Sequence, residues 1–371
     1  MKFSVSSGEL VKSLQAVIGA VPTKATMPIL ETVLFECEDG KVKLCATDLE
    51  VSIVEYVEAD IAKDGSVAVP ARRLLETLRQ LPDIPVMFEV DEKGNVKFKT
   101  DKGNYKLAGE KAADFPAIPT LDDGQVIKSS TESMIRAIQK TSFAVSSDDL
   151  RPAMMGVYFQ IGTEESKIVA TDGHRLVRLI KRDLTAAKAL NFIIPQKALN
   201  LVQKALDGLD CELTVSKEHV RFRSGNTMVI TRLINETYPN YESVIPREND
   251  KELKVNRDQM LATVKRVAIF SSSTTRQIRL QMRQDELVIA AEDIDMSSEA
   301  KESIACEYGN EEMEIGFNAR YLSDVLGNID DPEVLFEFST PNRAGIVRPS
   351  VQDEDEDMLM LVMPVMLNSY S

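Results

Sequence analysis

The chain carries nearly the same segment three times: VAVPARRLLETLRQL at 67–81, FIIPQKALNLVQKAL at 192–206 and IGFNARYLSDVLGNI at 315–329. Pro70, Pro195 and Asn318 mark equivalent points, 125 and 123 residues apart. A second landmark keeps the step, since CATDLE holds Asp48, VATDGH holds Asp172 and AAEDID holds Asp293, at spacings of 124 and 121. Two landmarks in register mean a tandem triplication. The period far exceeds the roughly 20–50 residues of solenoid repeats, so each copy is long enough to bury its own core. The 371 residues thus read as three similar domains, 1–123, 124–248 and 249–371, joined by the stretches AIPTLDDGQ and VIPRENDKE, which are rich in Pro and charge.

Within each copy the order is helix, strands, a strand ending at the anchor, a second helix and a hairpin. First helices are predicted over 7–21, 131–145 and 256–268, where Leu10, Leu14 and Val17, and then Met134 and Ile138, recur at helical spacing. Pro70 and Pro195 suit the first turn of the second helix, which needs no N–H, and Asn318 suits an N-cap. The runs VMFEV and VKFKT, LTVSKEHVRFRS, and VLFEFS with AGIVRP alternate with period two around turn residues, the pattern of antiparallel hairpins with one buried face. The predicted fold class is α+β, with two helices on antiparallel sheet in every copy.

Hydrophobic content of 43% and charged content of 28% are ordinary for a globular chain, and no apolar run is long enough to span a bilayer. The opening MKFSVSSGELVKSL has no continuous apolar stretch, and Cys37, Cys45, Cys211 and Cys306 lack zinc-type or redox spacing. These features predict a cytoplasmic protein whose thiols are reduced, small core hydrophobes. His174 and His219 are the only histidines, and the usual phosphate-loop, dinucleotide, serine-nucleophile and zinc signatures are missing, so no cofactor and no metal is expected. A metal-dependent enzyme using Asp48, Asp172 and Asp293 is the alternative. One carboxylate per domain is more simply a turn former that each copy needs.

The chain holds 44 basic and 59 acidic residues, a net charge of −15, which argues against an open basic face for nucleic acid. The predicted helices invert this balance: they carry twelve Lys and Arg against five acids, or +7, leaving −22 elsewhere. Repetition of cations at matching places suits a polyanion held by many weak phosphate contacts.

The segments MKFSV, MPILETVLFE at 27–36, ATDLE at 46–50, AADFP at 112–116, RPAMMGV at 151–157, ATDGHRL at 170–176 and VMPVML at 362–367 resemble the bacterial DNA polymerase III β subunit family, the replicative sliding clamps, over essentially the whole chain. The resemblance implies a head-to-tail homodimer closing a ring of six domains, with helices lining the hole around double-stranded DNA. It implies a non-catalytic processivity factor that tethers the replicative polymerase, a clamp loader and other motif-bearing proteins without reading sequence. A scaffold that binds peptides without encircling DNA is the second reading.

The resemblance places Lys24 and Arg151 where clamps contact DNA, and the implied ring would turn the helix cations Lys12, Arg72, Arg73, Arg79, Arg136, Lys140, Lys197, Lys204, Lys265 and Arg266 toward its phosphates. It places a partner-peptide pocket at Met154, Thr171, Gly173, His174, Arg175 and Leu176, with Pro239 and Val244. The facing wall comprises Asn318 and Tyr321 and the strand Leu361, Val362, Met363, Pro364, Val365 and Met366. Met and Pro suit a surface that accepts varied apolar peptides. Ring closure is expected from Tyr105 and Leu107 against Ile269 and Phe270 of a second copy. Family members often carry a basic residue where this chain has Ser243 and Met366, so a less cationic pocket is expected. Asp353–Asp357 reads as a solvated acidic loop, and Asn368–Ser371 extends past the family's usual end.

Overall fold

The computed structural model describes residues 1–38, 40–121 and 123–367; the Asn368–Ser371 extension lies outside them. Six α-helices occur among the described residues: α1 (Ser7–Val17), α2 (Ala71–Arg79), α3 (Thr131–Ser142), α4 (Gln196–Ala205), α5 (Arg257–Val267) and α6 (Ala319–Gly327). They match the repeat in pairs, and the first helices α1, α3 and α5 are somewhat shorter than their predicted spans. After α1 and α5 the chain tightens into 3-10 turns at Ile18–Ala20 and Ala268–Phe270.

The anchors solve the second helix start in two ways. The Asn318 side chain accepts from Arg320 N at 3.0 Å and Tyr321 N at 3.5 Å, an N-cap as predicted. Pro70 and Pro195 do not sit inside the first turn. Each is the N-cap itself, with φ of −54° and −56° and ψ of 106° and 138°. The fixed proline φ fits the end of the preceding strand as well as a helix, so it closes Gly65–Pro70 and Leu190–Pro195.

Contacts divide the chain into two compact units, Met1–Arg136 with Ile194–Ile234, and Ala137–Ile193 with Asn235–Ser371. The first holds a five-stranded sheet in the order Asp60–Lys63, Lys2–Ser6, Pro85–Val90, Asn95–Lys99, Asn104–Ala108. Its core face is a ladder of rings: Phe3 stacks on Phe88 at 4.8 Å, Phe88 on Phe98 at 5.3 Å, and Phe98 on Tyr105 at 4.8 Å. The same unit holds an eight-stranded sheet, and α1 packs on both α2 and the strand Val51–Glu58. The second unit holds a twelve-stranded sheet and packs α5 on α6. Leu10, Leu14 and Val17 of α1 and Met260, Val264 and Val267 of α5 are all fully buried, so both first helices turn an apolar stripe inward.

One pairing rule recurs. In the first unit, Val51–Glu58 follows the Asp48 turn and pairs antiparallel with Thr227–Arg232, the last strand of the second copy. In the second unit, Arg175–Lys181 follows the Asp172 turn and pairs antiparallel with Glu356–Val362, the last strand of the third copy. Successive copies are thus stitched by continuous sheet. No single repeat could reveal this, because the partner strand lies in the next copy.

Cys37, Cys45 and Cys211 are buried free thiols and Cys306 is half-buried; burial pushes the Cys45 and Cys211 thiols up to about 12. The acidic run departs from expectation. Glu356 begins the last strand, is buried, and accepts from Lys181 Nζ at 2.8 Å, while Arg182 donates to the Glu354 and Asp355 carbonyls at 2.8 and 2.9 Å. A buried lysine must be paired, and the acidic run supplies its partner.

Candidate functional site

The three repeated aspartates are turn formers. Asp48 Oδ1 accepts from Glu50 N at 3.0 Å and Val51 N at 2.8 Å, Asp172 Oδ1 from His174 N and Arg175 N at 2.9 Å each, and Asp293 Oδ1 from Met296 N at 3.2 Å. The carboxylates therefore satisfy local backbone donors.

Only the Asp172 turn is built into something larger. Gly173 takes φ of 88°, left-handed backbone that glycine adopts at little cost. The turn sends Arg175 inward and His174 outward. Arg175, 6% exposed, places Nε 3.3 Å from Asp172, donates from Nη1 to Asp324 at 2.5 Å and from Nη2 to the Phe143 carbonyl at 2.8 Å. Its guanidinium also lies 5.3 Å from the Phe143 ring centre and 5.1 Å from that of Tyr321. Charge pairing, hydrogen bonds and ring faces together offset its desolvation. The result ties the turn to α6, which carries Tyr321 and Asp324.

Around this anchor the expected pocket residues separate into a surface and a support. The His174 ring stacks on Tyr321 at 5.4 Å and 11°, and its carbonyl accepts from Met363 N at 2.8 Å. Val365 N donates to the Gly316 carbonyl at 2.9 Å, laying Pro364 and Val365 beside the start of α6, with Met366 79% exposed just beyond. His174, Gly173, Pro239, Val244 and Met363 are exposed; Asn318, Tyr321, Pro364 and Val365 are half-buried. Met154, Thr171, Leu176, Leu361 and Val362 are buried. These five differ from the expectation of lining side chains: Leu176 pairs across the sheet with Leu361 and Arg175 with Val362, so they back the surface. Thr171 Oγ donates to the Arg175 carbonyl at 2.7 Å and braces the turn. The stretch bearing Val244 is held down by Lys167, whose Nζ bonds Glu242 at 2.8 Å and keeps that carboxyl below its ordinary range.

The expected DNA-facing cations are less uniform. Lys24, Arg72, Arg73, Arg79, Lys204 and Lys265 are exposed, with Arg72 donating to the Val21 carbonyl at 3.0 Å. Lys12 faces Asp207 at 3.2 Å, Lys197 meets Asp48 at 2.5 Å, Arg151 meets Asp148 at 2.9 Å, and Arg266 Nε meets Glu302 at 3.0 Å. These four remain exposed, and phosphates compete with such surface pairs readily. Arg136 is half-buried. Lys140 corrects the expectation: it is 7% exposed, with Nζ 2.6 Å from Asp330 and 2.8 Å from the Asn328 carbonyl. Its place in the helical repeat hides that its side chain turns into the fold. Sequence reasoning also missed Arg276, which with Lys265, Arg320 and Ser271–Ser273 lines a hollow of about 290 Å³ at the end of α5. The run SSSTTR directly after the third first-helix was the available signal.

The expected closure residues behave unequally. Ile269 is 78% exposed and Phe270 40%, whereas Leu107 is only 9% exposed, its side chain having joined its own core. Tyr105 is the last, half-buried ring of the aromatic ladder, on the strand that ends the five-stranded order. In the second unit, Ser298–Tyr308 pairs with Glu286–Asp293 through residues 298–305 but with Lys251–Asn256 only through 306–308. Among the described residues, the other edge of 298–305 has no partner strand. An open edge is a row of unpaired N–H and C=O groups.

Comparison with known proteins gives this geometry its family. Profiles of the DNA polymerase III beta subunit match in order: the N-terminal domain over residues 1–119, the central domain over 128–240 and the C-terminal domain over 242–366. The beta sliding clamp of Pseudomonas aeruginosa is 32% identical over 99% of this chain and all of its own length, and that of Bacillus subtilis 27% identical over 98% and 99%. A crystal structure of the DNA polymerase III subunit beta from Pseudomonas aeruginosa superposes with a TM-score of 0.94 at 31% identity, over 99% of this chain and 100% of that one. Another, of that organism's clamp bound to griselimycin, gives a TM-score of 0.93 at the same identity and coverage. The chain belongs to the DNA polymerase III beta subunit family, the sliding clamps, whose members are processivity factors without catalytic chemistry of their own.

Proposed function

We propose that two copies of this chain close head to tail around double-stranded DNA and tether the replicative polymerase and other motif-bearing proteins to it. Three clamp domains per chain, 1–123, 124–248 and 249–371, make a ring of six. The observation that carries this reading is the repeated stitch: the strand after each aspartate turn pairs with the last strand of the following copy. Among the described residues, the stretch 298–305 of the third such strand, Ser298–Tyr308, and the last strand of the first copy, Asn104–Ala108, each have one edge without a partner strand. A second chain supplies both. The contact is heterologous, and closure after two copies distinguishes a ring from a fibre. Main-chain pairing joins the edges, Ile269 and Phe270 pack near Tyr105, and Leu107 supports from beneath.

Lys24, Arg73, Arg79, Lys204, Lys265, Arg276 and Arg320 supply phosphate contacts that position without reading bases. Retention then rests on topology rather than on affinity. His174, Tyr321, Val244, Met363 and Met366 hold short apolar partner peptides. The test is protein closed on a circular duplex: linearising the circle should release it, and blocking both new ends should restore retention. Equal dissociation from circular and linear DNA would refute encirclement.

A further inference from the structure

Beside the peptide surface, on the same face of the sheet, lies a hollow of about 330 Å³ lined by Lys167, Arg178, Arg247 and Arg348, with Glu242, Ile245 and Leu359 completing it. Its position follows from strand register. Leu176 pairs with Leu361 and Arg178 with Leu359, while Ile346 pairs with Leu361 and Val347 with Met360, which sets Arg348 beside Leu359. Side chains two apart share a face about 7 Å along a strand, so the arginines sit one step from Leu176 and Leu361, which back the apolar surface.

The local acids do not saturate these cations. Lys167 is matched by Glu242 at 2.8 Å, and Arg348 Nε lies 3.1 Å from Glu337. Asp357 is shared at 3.8 Å from both Arg178 and Arg348, too long for a hydrogen bond to either. Among the described residues, Arg178 Nε is buried with no hydrogen-bond partner. Four cations therefore face three carboxylates, with guanidinium donors left over. Such forked donors select carboxylates, to which they bond bidentately. In a chain of net charge −15, a cationic hollow abutting an apolar surface is a local exception that calls for an anionic occupant.

We infer that this hollow is a specificity subsite that takes an acidic side chain of the partner peptide, about two residues from the apolar side chain seated on the surface that Leu176 and Leu361 back. The inference rests on the peptide-binding reading above and adds the chemistry of the flanking residue.

Fluorescein-labelled decapeptides holding one Leu-Phe pair test it, with Glu or Gln two residues before or two residues after the pair, titrated against the full chain by anisotropy. At low salt one Glu peptide should bind on the order of tenfold tighter than its Gln counterpart, and the gap should shrink as salt rises. The double variant Arg178→Gln, Arg348→Gln should erase that gap while leaving the Gln peptide's affinity unchanged, which also shows that the variant is folded. Equal binding of both Glu peptides and their Gln counterparts to the unaltered chain overturns the subsite but leaves the apolar pocket standing. If no peptide binds, the pocket reading fails and the subsite with it.

Discussion

The turns at Asp48 and Asp172 are one device put to two uses. Each aspartate caps the backbone N–H groups two and three residues on, and each is followed by a strand that stitches its copy to the next. Their surroundings differ. The second carboxylate oxygen of Asp48 meets Lys197, which is 57% exposed, and the left-handed position after it is filled by Leu49 at φ of 78°. At the corresponding oxygen of Asp172 stands buried Arg175, and the left-handed position is Gly173 at φ of 88°. Repetition supplies the scaffold, and substitutions within one copy convert a solvated turn into one anchored on α6 through Arg175 and stacked on it through His174.

That contrast can be broken at several points. The largest effect is expected for Arg175→Ala, which leaves Asp172, Asp324 and the Phe143 carbonyl without their shared donor. Loss of about 3–5 kcal/mol in denaturant unfolding is predicted, as for a buried ion pair cut on one side, together with loss of apolar-peptide binding. A change below 1 kcal/mol would mean that the guanidinium does not organise the turn. Gly173→Ala should follow, costing about 1–2 kcal/mol, because left-handed backbone is forced on a β-carbon that would lie 3.0 Å from Arg151 Nη1. Leu49→Gly should act in the opposite sense and stabilise by about 0.5 kcal/mol, since it relieves the same conformation at an exposed site. Equal signs at the two positions would dissolve the comparison. Lys197→Ala should matter least, within about 0.5 kcal/mol of zero, as exposed pairs do; its effect is expected in the salt dependence of DNA binding instead.

Much of this was legible in the chain because it depends on local pattern. The triplication, the helix pairs, the hairpins and the Asn318 cap follow from spacing and residue type. The resemblance placed His174, Tyr321 and Met363 in one site, and the structure brings their groups into contact. What escaped depends on direction and on distant partners. Lys140 occupies a helical position like its neighbours, yet Asp330, which captures it, lies 190 residues away. Leu107 takes the buried face of its strand, whereas Ile269 stands exposed on a 3-10 turn. Glu356 and Asp357 read as loop because their counter-ions, Lys181, Arg178 and Arg348, sit on strands paired across the sheet. The same blindness hid the cationic hollow: the resemblance implied a pocket poorer in charge at Ser243 and Met366, while register gathers charge one step away.

The third turn, at Asp293, completes the comparison, because its following strand is the one left open. Amide hydrogen exchange across a dilution series tests the closure most directly. Only the outward-facing amides of 104–108 and 298–305, those not bonded to 95–99 and 286–293 within the chain, should be protected together at high concentration and lose protection together on dilution. The double variant Ile269→Asp, Phe270→Asp should exchange rapidly at both sets of outward-facing amides and sediment at the single-chain mass of 41.3 kDa. Protection of either outward-facing set that ignores both concentration and the double variant would contradict closure.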